Sequence, residues 1–166
     1  FDSFRVDDAS VIIRDGKYWM YYKGRQWNNT PANTKMGVAI AENPLGPYVK
    51  HENNHLVGSG HEVLAWPHRE GVATLISNNG PERNTVQYAP DGIDFSVISS
   101  VTNLPMAPGG YRPDAFTGSE DARGLSWGIS MVSGTPPYLR RFDVDFSHIP
   151  SDTTPIEIFS HWSFDD

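Results

Sequence analysis

Three carboxylates recur along this chain of 166 residues at nearly equal intervals: Asp8, Glu62 after 54 residues, and Asp114 after a further 52. Each ends a dipeptide, Asp7-Asp8, His61-Glu62 or Pro113-Asp114, that leads into a run of largely apolar residues. If a repeat brings them together, they repel one another, and the arrangement is costly unless a ligand, a metal or a neighbouring cation uses it. The chemistry within reach is general acid–base catalysis, for which a carboxyl or an imidazole must hold its proton near working pH. His61 and Glu62 both qualify. Neighbours in a regular strand point to opposite faces, so both address one site only where the backbone is still turning. Each dipeptide also has an ordinary reading: Asp7-Asp8 as a turn or cap, His61-Glu62 as a solvated histidine beside a salt-bridged glutamate.

The elements that must position these residues are short strands. Pro or Gly interrupts most windows that could be helical, and apolar or aromatic runs come in groups of four. Val11-Ile13, Tyr18-Tyr22, Gly37-Ala41 and Tyr48-His51 form the first group, parted by Asp15-Gly16, an Asn/Thr/Pro-rich loop and Asn43-Pro44-Leu45-Gly46-Pro47. Val63-Trp66, Gly71-Ser77, Thr85-Ala89 and Phe95-Ser99 form the second; Ala115-Thr117, Leu125-Val132, Leu139-Phe146 and Ile156-Phe159 form a looser third. A four-stranded unit repeating about every 50 residues predicts an all-β fold of β-propeller blades, approximately residues 5–55, 56–105 and 110–160. The first strand of a blade lines the central channel, so the starts of these strands converge. A propeller has at least four blades, so the N-terminal blades are expected to be absent from this chain, which opens at Phe1 without an initiator methionine.

Composition narrows the function classes. Hydrophobic residues make up 38% and charged residues 20%, with 15 Gly and 13 Pro, which is a globular composition rich in turns. No apolar run approaches the roughly 20 residues of a membrane-spanning helix. Thirteen basic against 20 acidic residues leave a net charge of −7 and no basic cluster, so neither nucleic acid nor membrane is an expected partner. Without cysteine there is neither a disulfide framework nor a thiolate metal site. A divalent cation among channel carboxylates is conceivable, although His61 and His68 lack the spacing of a zinc site, and no cofactor is required.

Several other side chains could contact a sugar. Trp66 offers an indole face for a pyranose, and Arg25, His68, Gln87 and Arg112 offer directed hydrogen bonds to hydroxyls. Trp66 serves equally well as a core aromatic, and Arg112 beside Asp114 as a structural ion pair.

Taken together, Asp7-Asp8-Ala9-Ser10, the segment Asp15 to Arg25, Lys35 to Ala41, Gly60-His61-Glu62-Val63 with Trp66-Pro67-His68, and Tyr111-Arg112-Pro113-Asp114-Ala115-Phe116 resemble glycoside hydrolase family 117. The related families 43 and 32 share the Asp-x-Ser strand start. The resemblance implies a five-bladed propeller and an exo-acting α-1,3-(3,6-anhydro-L-galactosidase) that removes the anhydro sugar from agar oligosaccharides with inversion. It makes Asp8 an orienting carboxylate, His61 the acid, and Glu62 a neighbour that binds substrate or supports the histidine. Arg25, Trp66, His68, Gln87, Arg112 and Asp114 are then substrate-binding candidates. Ala9 departs from the pattern, standing where such strand starts usually carry proline. The water-activating base, an aspartate of the first blade, is expected to lie outside this chain, leaving the isolated chain inactive. A homodimer, and a periplasmic or extracellular location, complete the expectation. Two alternatives stand beside it: a family 43-like glycosidase with Glu62 as acid, and a non-catalytic carbohydrate-binding propeller remnant.

Overall fold

The computed structural model describes residues 1–58, 60–77, 79–102, 109–110 and 124–144, and the backbone of 156–157. The fold is all-β and, among the described residues, has one short 3₁₀ turn at Pro31–Asn33. The first sheet is a meander of β1 (Arg5–Arg14), β2 (Lys17–Arg25), β3 (Lys35–Ala41) and β4 (Val49–Lys50), hydrogen-bonded in that order. Asp15 and Gly16, both with positive φ, make the β1–β2 hairpin, the two-residue turn that the twist of paired strands favours. The second sheet runs β5 (Glu62–His68), β6 (Gly71–Ser77), β7 (Thr85–Ala89) and β8 (Ser96–Thr102), again antiparallel between chain neighbours. The third contains β9 (Gly109–Gly110), β10 (Trp127–Val132) and β11 (Tyr138–Asp143), with β10 in the middle.

The third unit differs from its expected layout. Ala115-Thr117 lies outside the described residues, and β9 is the strand that pairs with the inner side of β10. The last strand, β12 (Ile156–Glu157), does not extend this sheet but pairs in parallel with Val101 and Thr102 of β8. There it caps an edge whose backbone groups would otherwise be left unpaired.

Strands β5, β6 and β7 of the second sheet are buried on both faces, which explains their nearly unbroken apolar runs. Side chains alternate between two cores. Val63, Ala65, Val72 and Ile76 pack with Ile12, Trp19, Tyr21, Met36 and Val38 of the first sheet. Leu64, Trp66, Ala73, Leu75 and Tyr88 face the other way and pack with Leu125 and Phe142 of the third unit. Polar ties reinforce the junction of the first two sheets. Arg14 at the end of β1 donates to the carbonyls of Glu70 and Pro90, each at 2.8 Å. The Tyr21 hydroxyl donates to the Gly92 carbonyl at 3.0 Å. Gly92 sits at φ +80° with the Tyr21 oxygen 2.8 Å from where a Cβ would be, so no larger residue fits that turn without a shift.

Candidate active site

The junction carries β1 and β5, the first strands of successive sheets, side by side, and their N-terminal ends bring Asp8 and Glu62 together. A β-bulge prepares the first of them. Asp7 pairs with Lys23 and Ser10 with Tyr21, so Asp8 and Ala9 together oppose the single residue Tyr22. Asp8 adopts φ +53°, a left-handed conformation that aspartate tolerates better than most residues. The extra residue re-aims the strand, as bulges beside active sites do. Consecutive side chains Asp7 and Asp8 therefore reach the same partner, which a regular strand forbids.

That partner is Lys23. Its ammonium lies 2.7 Å from Asp8, 2.6 Å from Glu62 and 3.4 Å from Asp7, and the side chain is 6% exposed. Asp7 in turn accepts a hydrogen bond from Arg5. Burial alone would lower the pKa of Lys23, but its bonds to Asp8 and Glu62 outweigh that and raise it, so it stays charged.

With both carboxylates against one ammonium, Asp8 and Glu62 are themselves hydrogen-bonded and divide their protons unequally. Burial pushes Glu62 up, the adjoining Asp8 pushes it further, and its pKa reaches about 7. Burial also acts to raise Asp8, but the hydrogen bond from Glu62 and the Lys23 charge prevail and hold it below the ordinary carboxylate range. The free site therefore pairs an ionised Asp8 with a Glu62 that carries a proton up to neutral pH. This separation of two neighbouring carboxyl groups is the usual mark of acid–base machinery.

His61 stands next to the pair, with Nδ1 3.4 Å from Glu62 Oε1. It precedes the strand, and its backbone N–H bonds the Asn79 carbonyl at 3.1 Å. The chain is still turning there, so both members of the His61-Glu62 dipeptide address one site. Burial, then the charges of Lys23 and Arg25, lower the pKa of His61, so its imidazole is neutral at pH 7. Between the two strand starts lies a cleft of about 240 Å³ whose walls include Asp8, Ser10, Glu62, Leu64 and Gly109. This is smaller than the roughly 300–1,000 Å³ of a pocket for a whole ligand, and suits a single ring or part of one. A larger hollow of about 630 Å³ beside β4 is lined by the exposed Lys17–Glu42 pair and holds no cluster of shifted acids, so we place the chemistry in the smaller cleft.

The other candidates separate clearly. Arg25 ends β2 with its guanidinium 5.8 Å from the Phe4 ring, and its charge is felt by His61. Trp66 is fully buried, in the core toward the third unit, and cannot stack on a sugar from there. It lies four residues along β5 from Glu62, on the order of 13 Å deeper in the sheet. His68, 1% exposed, stands further along that row with its ring edge-on to Tyr88. Gln87, 3% exposed, donates to Thr85 in its own strand and to Glu82 in the turn before it. These three are structural residues, not sugar contacts. Arg112 and Asp114 lie outside the described residues.

Lys23 is the member of this cluster that reasoning from spacing missed. Its signal is a lone lysine in the aromatic strand Tyr18-Trp19-Met20-Tyr21-Tyr22-Lys23. On a strand with a buried face, that charge needs an anion opposite. Among the described residues no group of three or more His, Asp or Glu side chains could hold a metal, and the cation lying between Asp8 and Glu62 is the lysine.

No protein-family model matches the chain. A xylosidase/arabinosidase of Bacteroides ovatus is 36% identical over 52 residues, 31% of this chain and 15% of that protein. A much longer likeness is to the structure of Zg3597, a family 117 glycoside hydrolase produced by the marine bacterium Zobellia galactanivorans. The identity is 38% and the TM-score 0.72, over 84% of this chain and 42% of that one. The chain thus spans less than half the length of that structure. In sequence and in fold it resembles the family 117 glycoside hydrolases.

Proposed function

We propose that this chain supplies the proton-donating side of a glycosidase active site, and that the protein it represents releases 3,6-anhydro-L-galactose from the non-reducing end of agar oligosaccharides by inverting hydrolysis of the α-1,3 linkage. One observation carries the reading: Asp8 and Glu62 meet on the buried Lys23 ammonium at the wall of the cleft, where burial and the adjoining Asp8 push the Glu62 carboxyl up to about 7. Cleaving a glycosidic bond requires a proton on the departing oxygen, and an acid with a pKa near working pH delivers it best.

The geometry also limits what the pair does. Asp8 and Glu62 oxygens lie 2.7 and 2.6 Å from the same nitrogen, which leaves at most about 5 Å between them. Inverting glycosidases separate their acid and base by roughly 6.5–9.5 Å to admit a water. Asp8 and Glu62 therefore work together on one side of the bond, and a different group activates the water. Glu62 stores the proton, and Asp8 keeps it there by remaining charged. His61, adjoining Glu62 and itself a quarter exposed, is the group that the resemblance makes the donor.

The lowered pKa of His61 favours a second reading in which Glu62 protonates the leaving oxygen directly, as in a family 43-like enzyme. The local likeness to a xylosidase/arabinosidase supports that version and a pentose substrate. Glu62→Gln and His61→Gln, each in the full-length protein, decide between them with neoagaro-oligosaccharides and with aryl xylosides and arabinofuranosides. Loss of turnover in both variants on the agar oligosaccharides fits the first reading; retained turnover in His61→Gln with loss in Glu62→Gln fits the second. Binding of agar oligosaccharides without product would leave a carbohydrate-binding propeller instead. The substrate's origin is consistent with a periplasmic or extracellular protein, and a homodimer is part of the same proposal.

A further inference from the structure

Three carboxylates from two strands converge on a single ammonium. Lysine has three N–H donors and no acceptor, and here Asp7, Asp8 and Glu62 stand at 3.4, 2.7 and 2.6 Å from its nitrogen. The charges around it can be counted. Arg5 pairs with Asp7 at the rim of the cluster. That leaves one ammonium for Asp8 and Glu62, and the set is neutral when those two hold one proton between them. Glu62 is the more buried of the two, with its side chain 14% exposed against 34% for Asp8, and glutamate is intrinsically the weaker acid. The proton belongs on Glu62.

We propose that Lys23 is a positioning residue that fixes the proton inventory of this site: its charge allows one exchangeable proton on the carboxylate pair, which the deeper burial of Glu62 draws to that residue, and keeps Asp8 ionised. This rests on the glycosidase reading above and deepens it. Lys23 reaches the substrate's chemistry only through the two carboxylates. The groups facing it are Arg5, Asp7 and Asp8 from β1, Glu62 at the start of β5 and His61 just before it, with Arg25 two residues along its own strand. Lys23 also lowers the proton affinity of His61, so its removal moves both possible acids in the same direction. A bland role exists too: the lysine could be only a brace between two sheets, since it joins β1 and β2 to β5. Removing a brace lowers stability but leaves the titration of the surviving folded molecules where it was.

Lys23→Met and Lys23→Arg in the full-length protein separate these roles. Two readouts are followed: the Glu62 carboxyl by ¹³C NMR, assigned with Glu62→Gln, and the alkaline limb of kcat/KM for release of the anhydro sugar. Losing a positive charge at this range moves a carboxyl's midpoint by about one to three pH units. The expected result is an upward shift of that size in both readouts for Lys23→Met, with Lys23→Arg returning most of it. A Glu62 midpoint that stays put in a folded Lys23→Met protein overturns the proposal. Should Lys23→Met fail to fold, Lys23→Gln keeps a hydrogen-bond donor, removes only the charge, and is read the same way. The NMR titration needs no substrate. A protein that releases no sugar therefore refutes the glycosidase reading while the Lys23 proposal is still decided.

Discussion

Replacing Arg14 by alanine removes the polar staple that holds the first two sheets in register. Its guanidinium uses two separate nitrogens, one on the Glu70 carbonyl in the β5–β6 turn and one on the Pro90 carbonyl after β7, both at 2.8 Å. It also lies 5.7 Å from the centre of the Trp19 ring. Hydrogen bonds to a charged group contribute about 1.5–3 kcal/mol each. Because water can reach the released carbonyls, the lower figure applies, and the two bonds together amount to about 3 kcal/mol. Contact with Trp19 adds about 0.5 kcal/mol at such a partly exposed place. Arg14→Ala should therefore lower the unfolding free energy by about 3.5 kcal/mol, read from the urea midpoint at an unchanged m-value. Arg14→Lys, which has no planar fork, should recover no more than about half of that. A loss below about 0.5 kcal/mol for Arg14→Ala would refute the reasoning, because it would mean that the apolar contacts of the junction hold the sheets together without the staple.

Glu62 links stability to pH. Its pKa rises from 4.5 to about 7 on folding, so its contribution is complete below about pH 4.5 and is lost as the pH climbs through 7, to a limit of ~3 kcal/mol. His61 and His55, whose pKa values fall on folding, act in the opposite sense as the pH drops through 6.5. The difference in unfolding free energy between the native protein and Glu62→Gln isolates Glu62; it should change steadily between pH 4.5 and 8, and a flat difference would exclude the raised pKa. Trp66→Ala should cost about 3–5 kcal/mol in urea unfolding, as loss of a fully buried aromatic does. A stable Trp66→Ala protein with a raised KM would instead restore the tryptophan as a sugar contact.

Much of this arrangement can be read from residues alone, and the boundary is physical. The strands of the first two sheets announce themselves because Asp15-Gly16, the Asn43 to Pro47 segment and Asp91-Gly92 punctuate apolar runs. The meeting of Asp8 with Glu62 follows from the equal spacing of strand starts. The bulge at Asp8-Ala9 leaves no mark on the apolar pattern, and without it Asp7 and Asp8 would be placed on opposite faces. Trp66, His68 and Gln87 looked like ligand contacts because their chemistry suits a sugar. Trp66 and His68 are buried on the face that the third unit covers, and Gln87, paired with Thr74, on the face toward the first sheet; both are long-range contacts that strand periodicity does not reveal. Lys23 was hidden for a related reason: a lysine in an exposed strand and one against three carboxylates read alike until the partner strands are in place.

The pH dependence of kcat/KM for release of 3,6-anhydro-L-galactose from neoagaro-oligosaccharides by the full-length protein bears most directly on the proposed role of Glu62. Activity should decline along a limb centred near pH 7 as Glu62 loses its proton, and Glu62→Gln should abolish turnover. Full activity persisting to pH 9, or a Glu62→Gln protein that still releases the sugar at the native rate, would show that the proton comes from somewhere else.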